Sequence, residues 1–96
     1  MSANGSTRKW RILQAQVIRE EPYCRLGLPG CTTTSTTADH IIPLSMRPDL
    51  RYVRSNLQGA CRSCNLKRGN TPMSAVRDMY PVEDRQPQAL GFFGAG

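Results

Sequence analysis

Two cysteine pairs constrain the fold of this chain more than any other feature. Cys61 and Cys64 stand in a CxxC spacing, which lets two thiolates reach one tetrahedral metal ion, and Cys24 and Cys31 precede them. The wider spacing of the first pair is compatible with the same ion because the loop between its members contains glycine and proline, which favour turns. Four thiolates would fill the coordination shell of zinc, so we predict one structural zinc site.

The length of the chain, 96 residues, predicts one small domain. We expect residues 1–6 to be disordered and residues 81–96 to form a flexible tail. A core built from fewer than roughly 70–80 ordered residues rarely stabilises a fold without a further cross-link. No signal peptide is visible, and no stretch reaches the ~18 apolar residues that cross a bilayer. We therefore predict a cytoplasmic protein without a membrane partner.

Two other uses of the cysteines remain open at this point. A redox-active CxxC would need a thioredoxin-like setting, and no βαβ pattern surrounds Cys61 and Cys64. Structural disulfides would need an oxidising compartment, whereas in the cytosol disulfides are rare and metal sites are common. The spacing and the expected compartment both favour zinc.

The charge of the chain indicates a polyanionic partner. Eleven arginines and two lysines against seven acids give a formal net charge of +6 and a pI of about 9.7. Nucleic acid is the first candidate, and a merely soluble basic protein is the alternative. Aromatic residues make up only 6% of the chain, so stacking on single-stranded bases is poorly supported and contact with duplex phosphates is predicted.

Apolar side chains at helical spacing predict a first helix over residues 7–19. Trp10, Leu13 and Val17 recur at i, i+3 and i+7, and Trp10 is predicted to anchor a core. Pro22 disfavours helical angles at the residue before it and so ends this helix.

The middle of the chain predicts extended segments around a loop. Residues 32–37 are rich in β-branched side chains, and residues 38–43 form a second extended run. Residues 45–54 are a polar loop, and residues 57–60 suit a short returning strand.

Two short helices are predicted to follow. Residues 61–67 suit a helix that ends near Gly69. Thr71 is predicted to cap the last helix, with Pro72 in its first turn. The buried stripe of that helix would consist of Met73, Val76 and Tyr80.

Four polar residues lie between or beside the cysteine pairs: Asp39, His40, Asn56 and Asn65. His40 is the only histidine in the chain. Each has an ordinary structural explanation, because the carboxyl and amide side chains can cap turns or helices and a lone histidine is often a satisfied core or surface group. Taken singly, none of them indicates a function.

The combination of these polar residues with the cysteine pairs and the first helix is more specific than any one of them. The runs "ADHIIPL" and "SNLQGACRSCNLKRG" follow a tryptophan-bearing helix and stand among the two cysteine pairs. From Trp10 to about Gly69 the chain resembles the HNH endonucleases, or ββα-metal nucleases, including small members that phages encode near their DNA-packaging genes. The resemblance implies an α+β fold with a ββα-metal core at about residues 32–69, flanking helices and a four-cysteine zinc site, within a nuclease domain over residues 7–80.

The resemblance also implies a role for each polar residue. His40 corresponds to the general base that takes a proton from the attacking water, and Asp39 corresponds to a ligand of the catalytic cation. Asn56 corresponds to the central asparagine, which orders the loop and orients His40 by hydrogen bonding. Asn65 takes the last position, a metal ligand that is histidine in many members, so the motif reads H-N-N; members with asparagine there are active.

These roles agree with the chemistry of the side chains. An imidazole that titrates near neutral pH is suited to proton removal. The oxygens of Asp39 and Asn65 suit Mg²⁺ or Mn²⁺. The resemblance thus predicts a DNA endonuclease whose products carry 5′-phosphate and 3′-hydroxyl ends. Double-stranded DNA is the expected substrate, phage terminase or other packaging proteins are candidate partners, and the host cytoplasm is the expected location if a phage encodes the chain.

Basic residues near the motif are predicted to contact DNA, although each also fits a solvated face: Arg47, Arg51, Arg54, Lys67 and Arg68. The first three lie in the loop that the family places near DNA, and the last two follow Asn65. Contacts with phosphates carry no base readout, so we expect weak sequence specificity.

Two competing functions use the same features. A zinc module that binds nucleic acid or a packaging protein without cutting it would explain the charge and the cysteines, but not the spacing of Asp39, His40 and Asn65. A structural partner in a larger assembly would dock through residues 71–96.

Overall fold

The computed structural model describes residues 7–86, so the predicted disordered start and residues 87–96 of the predicted tail lie outside the described residues. The elements, in chain order, are α1 (Arg8–Glu20), β1 (Thr37–His40), β2 (Leu57–Ala60), α2 (Arg62–Arg68) and α3 (Met73–Met79). Short 3-10 turns occur at Pro48–Leu50, Arg54–Asn56 and Val82–Asp84. The predicted α+β fold is confirmed.

Helix α1 begins and ends within one residue of its predicted bounds. The Thr7 hydroxyl accepts a hydrogen bond from the Trp10 amide at 3.2 Å, as an N-cap does, and the helix ends at Glu20, ahead of Pro22. Its apolar face packs against the sheet in one hydrophobic cluster. The buried members are Val17, Ala38 and Leu57, and the partly buried members are Trp10 and Leu13.

The sheet consists of two short antiparallel strands. β1 pairs with β2 in a register that places Asp39 opposite Gln58 and His40 opposite Leu57. The returning strand at residues 57–60 is confirmed. Of the extended segment predicted at residues 32–37, only Thr37 joins the sheet; before it, the chain bends through Thr33, whose φ is +76°.

Gly59 allows β2 to pass close to the end of α1. A Cβ at this position would overlap the carbonyl oxygen of Glu21 and would lie 2.5 Å from the hydroxyl of Ser35. The Gly59 amide also donates to the Glu21 carboxylate at 2.9 Å. The close approach of the two backbones therefore requires glycine here.

In a second hydrophobic core, α2 and α3 pack against the loop between Cys24 and Cys31, which we call the first cysteine loop. Its buried members are Cys24, Leu26, Leu28, Ala60, Cys61, Cys64 and Val76, and Met73 and Tyr80 pack against them. Of the buried stripe predicted for α3, Val76 is buried, whereas Met73 and Tyr80 are only partly buried. The predicted cap is wrong: Pro72 takes the N-cap position in an extended conformation with no side-chain cap, so Thr71 lies outside the helix.

The first residues of the predicted tail contact this core. Arg85 donates to the carbonyl of Leu26 at 3.2 Å, and the Gln86 amide donates to the carbonyl of Gly27 at 2.9 Å. The boundary at residue 80 stays a prediction. Within residues 7–86, no helix combines the length and the apolar character needed to cross a membrane.

Candidate active site and metal centre

The four cysteines come together in one cluster. Their sulfur atoms all lie within 4.8 Å of one another, and Cys24, Cys61 and Cys64 are buried. The sulfurs of Cys61 and Cys31 are 3.9 Å apart, far beyond the roughly 2.05 Å of a disulfide. Four sulfurs at about 2.3 Å from one tetrahedral ion would be separated by about 3.8 Å. The cluster therefore fits a metal ion rather than a pair of disulfides.

Backbone amides point at the sulfurs of the cluster. Leu28 donates to Cys64 at 3.3 Å, Thr32 to Cys61 at 3.5 Å, and the Cys64 amide to Cys61 at 3.4 Å. Burial opposes the thiolate form, but for Cys61 the hydrogen bonds from Thr32 and Cys64 outweigh it and lower the pKa to about 6. These donors prepare the cluster for a cation.

The thiols of Cys31 and Cys64 need a cation to ionise. Burial raises the pKa of the Cys64 thiol well above its usual range, and it raises the pKa of the Cys31 thiol as well. Metal binding favours the deprotonated form of such thiols and releases their protons. The donor set and its geometry thus agree with the predicted metal site.

The cysteine cluster fixes the position at which α2 begins. Cys61 is the N-cap of the helix and accepts from the Cys64 amide, so Asn65 lies in the first turns. Lys67 donates to the carbonyl of Pro29 at 2.8 Å and links the other side of the helix to the first cysteine loop.

A cavity of about 390 Å³ lies beside β1 and α2, and it brings three of the four predicted polar residues together. Asp39, His40 and Asn65 line it, with Trp10 at its edge. Successive side chains on a strand point to opposite faces, but His40 is the last residue of β1. The strand end therefore allows both neighbours to reach one cavity, which we call the His40 cavity.

The ring of His40 is held on two sides. Its Nε2 lies 3.0 Å from the carbonyl oxygen of Arg51. A carbonyl can only accept, so this contact assigns a proton to Nε2 and leaves the lone pair of the neutral ring on Nδ1. Trp10 stacks on the ring, with centroids 5.3 Å apart and planes 13° apart. Trp10 thus belongs to the site as well as to the core.

Asn56 orders the chain after β1, as the resemblance implies. Its side chain is buried, accepts from the Ile42 amide at 2.9 Å and donates to the Ile42 carbonyl at 3.1 Å. Its predicted hydrogen bond to His40 is not among the contacts of residues 7–86. The ring of His40 is instead oriented by Arg51 and Trp10.

Arg68 is a structural partner of the site and does not face DNA. Its side chain is 0% exposed and forms an ion pair with Oδ2 of Asp39. It also donates to the carbonyls of His40 at 2.7 Å, Ile41 at 2.6 Å and Thr71 at 2.8 Å. The prediction that Arg68 contacts phosphates is therefore wrong. Its partner Asp39 lies 29 residues away in the sequence, so no local spacing signals this role.

The carboxylate of Asp39 is buried with its partners. Burial raises its pKa, while a hydrogen bond from Gln58 at 2.9 Å and the charge of Arg68 act in the opposite direction. Both contacts are made to Oδ2. The two donors fix the orientation of the carboxylate toward the cavity that it lines.

The three loop arginines predicted to bind DNA differ in how far their side chains are engaged by other residues of the protein. Arg54 pairs with Glu20 at 2.9 Å and Glu21 at 3.2 Å, so it joins the loop to the end of α1. Arg47 is exposed and pairs with Asp49 at 2.8 Å. Arg51 is exposed and offers its carbonyl to His40. Of the three loop arginines, Arg51 therefore contacts the site, and Arg54 has a structural role.

Comparisons with known proteins agree with the geometry. The HNH endonuclease family model matches residues 22–71, which include both cysteine pairs and the four polar residues. A comparison with curated protein sequences gives no significant match. The fold is similar to a crystal structure of the HNH endonuclease of the deep-sea thermophilic bacteriophage GVE2 with manganese ion, with a TM-score of 0.52, 21% identity, and 79% of this chain and 80% of that chain covered. The resemblance stated from the sequence is confirmed: the chain belongs to the HNH endonuclease family and is a nuclease.

Proposed function

We propose that this protein is a divalent-metal-dependent DNA endonuclease in which His40 is the general base and Asp39 and Asn65 bind the catalytic cation. The observation that carries the proposal is the convergence of these three side chains on one cavity. A binding module has no need of a base and two oxygen ligands at such a place.

The environment of His40 suits proton transfer. With Nε2 held by the Arg51 carbonyl, Nδ1 takes a proton from a water molecule. The carbonyl then stabilises the positive charge of the ring. The oxygen of that water forms a bond to phosphorus as the bond to the 3′ oxygen breaks. The departing 3′ oxygen takes a proton from solvent water, which leaves 5′-phosphate and 3′-hydroxyl ends.

The side chains of Asp39 and Asn65 fit a hard cation. Carboxylate and amide oxygens are ligands of Mg²⁺ and Mn²⁺, and two protein ligands leave most of the shell to water and phosphate oxygens. Such a cation supplies electrostatic stabilisation of the charge on the phosphate and the leaving oxygen. Gln58 and Arg68 hold Asp39 in place for this purpose.

The cysteine cluster is proposed to bind zinc. All four ligands are thiols, which favour zinc over magnesium, and no position is left for a reacting molecule. Zinc bound there would join Cys24 and Cys31 to the start of α2. Reduced thiols of this kind agree with a cytoplasmic location, which we also propose.

A role in phage DNA packaging, with terminase or another packaging protein as partner, is part of the proposal. Its support is the likeness of the fold to a phage enzyme and the resemblance of the motif. Co-purification of tagged protein with the terminase subunits of its own genome tests this role. A lack of any association would remove the packaging role and leave the nuclease intact.

The activity is tested on supercoiled plasmid with Mg²⁺ or Mn²⁺, comparing the parent with His40→Ala. We expect nicked or linear DNA from the parent and none from the variant, with equal zinc content in both. DNA binding by both proteins without cleavage by either would favour the non-catalytic zinc module.

A further inference from the structure

A second cavity adjoins the His40 cavity. It also has a volume of about 390 Å³, and the two cavities share Thr37, Asn65 and Leu66. Asn65 therefore stands between two depressions that run into each other. A polymer whose reacting group lies at His40 would continue into the second depression.

The second cavity, which we name the Arg62 groove, is lined by Gln14, Thr36, Thr37, Arg62, Asn65 and Leu66. This lining contains amides, hydroxyls and one cation, and it contains no carboxylate. Such a surface suits an anionic, well-hydrated group such as a phosphodiester.

The walls of the Arg62 groove are fixed by hydrogen bonds between elements. Gln14 of α1 donates to the Thr37 hydroxyl at 2.8 Å. The Arg62 amide donates to the Thr36 hydroxyl at 3.1 Å. Helix α1, the start of β1 and the start of α2 are thus tied together around the groove, so little ordering is required when a ligand binds.

Arg62 is the cation that α2 presents to this surface. Arg62, Asn65 and Leu66 follow i, i+3 and i+4, which places them on one face of the helix. The two other basic residues of α2 are engaged elsewhere, on the Pro29 carbonyl and on Asp39. Arg62 is exposed, and none of the ion pairs within residues 7–86 involves it.

We propose that the Arg62 groove is a phosphodiester subsite that holds the DNA strand next to the scissile phosphate, with the Arg62 guanidinium on a backbone phosphate. The inference rests on the proposed function, since it takes the His40 cavity to hold the bond that is cut. Contact with phosphate positions the strand without reading its bases.

Binding of a duplex oligonucleotide across a salt series tests the subsite. The proteins are full-length, zinc-loaded and in a His40→Ala background, so that binding is measured without cleavage. Arg62→Ala should reduce the slope of log K against log [salt] by about one, because one phosphate contact is lost. Arg62→Lys should restore most of the slope, since a point charge still contacts phosphate.

Arg77→Ala is the matched control, because Arg77 is exposed on α3 and lines neither cavity. It removes the same charge and should leave the slope unchanged. An Arg62→Ala slope equal to that of Arg77→Ala would overturn the subsite. Zinc content and circular dichroism establish that each variant is folded.

Cleavage kinetics separate this inference from the proposed function. With His40 present, Arg62→Ala should raise KM several-fold and change kcat little, as loss of uniform binding does. A parent that cuts, with Arg62→Ala and Arg77→Ala alike in KM, would defeat the subsite alone. A parent that binds DNA and never cuts would defeat the nuclease and, with it, the placement of the groove beside a scissile bond.

Discussion

The cysteine cluster and the His40 cavity lie at opposite ends of the same short helix, and they are held together in different ways. At the start of α2, four thiols converge, and burial raises the pKa of the Cys31 and Cys64 thiols, so that a cation is needed to hold those two as thiolates. At the end of α2, Arg68 donates to the Ile41 carbonyl, and Asn56, just before β2, accepts from the Ile42 amide, so the protein's own hydrogen bonds hold the chain after β1. Under the proposed function, the cysteine cluster would need an ion to hold its shape, whereas the His40 cavity is shaped by contacts within the protein.

Loss of the cluster is expected to have the largest effect. Cys64→Ser should abolish the cooperative thermal transition and DNA cleavage together, and removal of zinc from the parent with a chelator should abolish the transition. The binding free energy of structural zinc in small domains is about 10–16 kcal/mol and is coupled to folding. Circular dichroism and elemental analysis measure the outcome. A parent that keeps its full structure after zinc removal would erase the contrast between the two regions.

Arg68→Met tests whether the cavity is held by protein contacts alone. It leaves the Asp39 carboxylate buried without its counter-ion, which should cost about 3–5 kcal/mol in urea unfolding. The double variant Asp39→Asn/Arg68→Met should recover part of this loss, because removal of both charges is less costly than separation of the pair. Zinc content should stay at the parent level. A single variant as stable as the parent would show that the ion pair does not hold the site.

His40→Ala should separate chemistry from structure. Loss of a general base lowers the cleavage rate by about 10²–10⁴-fold. Loss of the stack on Trp10 should lower the free energy of unfolding by only about 0.5–1.5 kcal/mol. Trp10→Leu is the matched variant, since it removes the stack but keeps the imidazole, and it should retain more activity. A variant that loses both zinc and fold would place His40 in the structural region instead.

Gly59→Ala tests the connection between the two regions. Gly59 lies in β2, the strand that pairs with β1 beside the His40 cavity and leads directly to Cys61 of the cysteine cluster. The added Cβ would overlap the Glu21 carbonyl oxygen, and we expect a loss of about 1–3 kcal/mol in thermal or urea unfolding. Adding Ser35→Ala removes the second clash only, so the double variant should remain less stable than Ser35→Ala. Equal stability of those two would show that the backbones separate at little cost.

Local patterns in the sequence predicted the parts of the fold that local physics decides. The spacing of Trp10, Leu13 and Val17 sufficed for α1, and the CxxC spacing sufficed for the cluster. The contacts of charged residues were harder to predict, because an arginine can equally lie on a solvated face, bind a phosphate or pair with a buried carboxylate. Arg68 finds Asp39 in a distant part of the chain, and only the folded chain reveals that pair.

Contacts with main-chain atoms and with distant side chains were harder still to predict. The carbonyl of Arg51 orients His40, and any residue type supplies a carbonyl. Arg54 was predicted to face DNA, although Glu20 and Glu21 at the end of the first helix supply its partners. Long-range ion pairs and main-chain acceptors leave little trace in a single sequence.

The brevity of α2 has a consequence for how this chain can change. A helix of seven residues spans about 10 Å and has little stability of its own, so it acts as a spacer of fixed length between its two ends. One inserted residue would turn everything beyond it by about 100°, so Asn65 could not line the cavity while Arg68 still paired with Asp39. Insertions and deletions should therefore be excluded between Cys64 and Arg68.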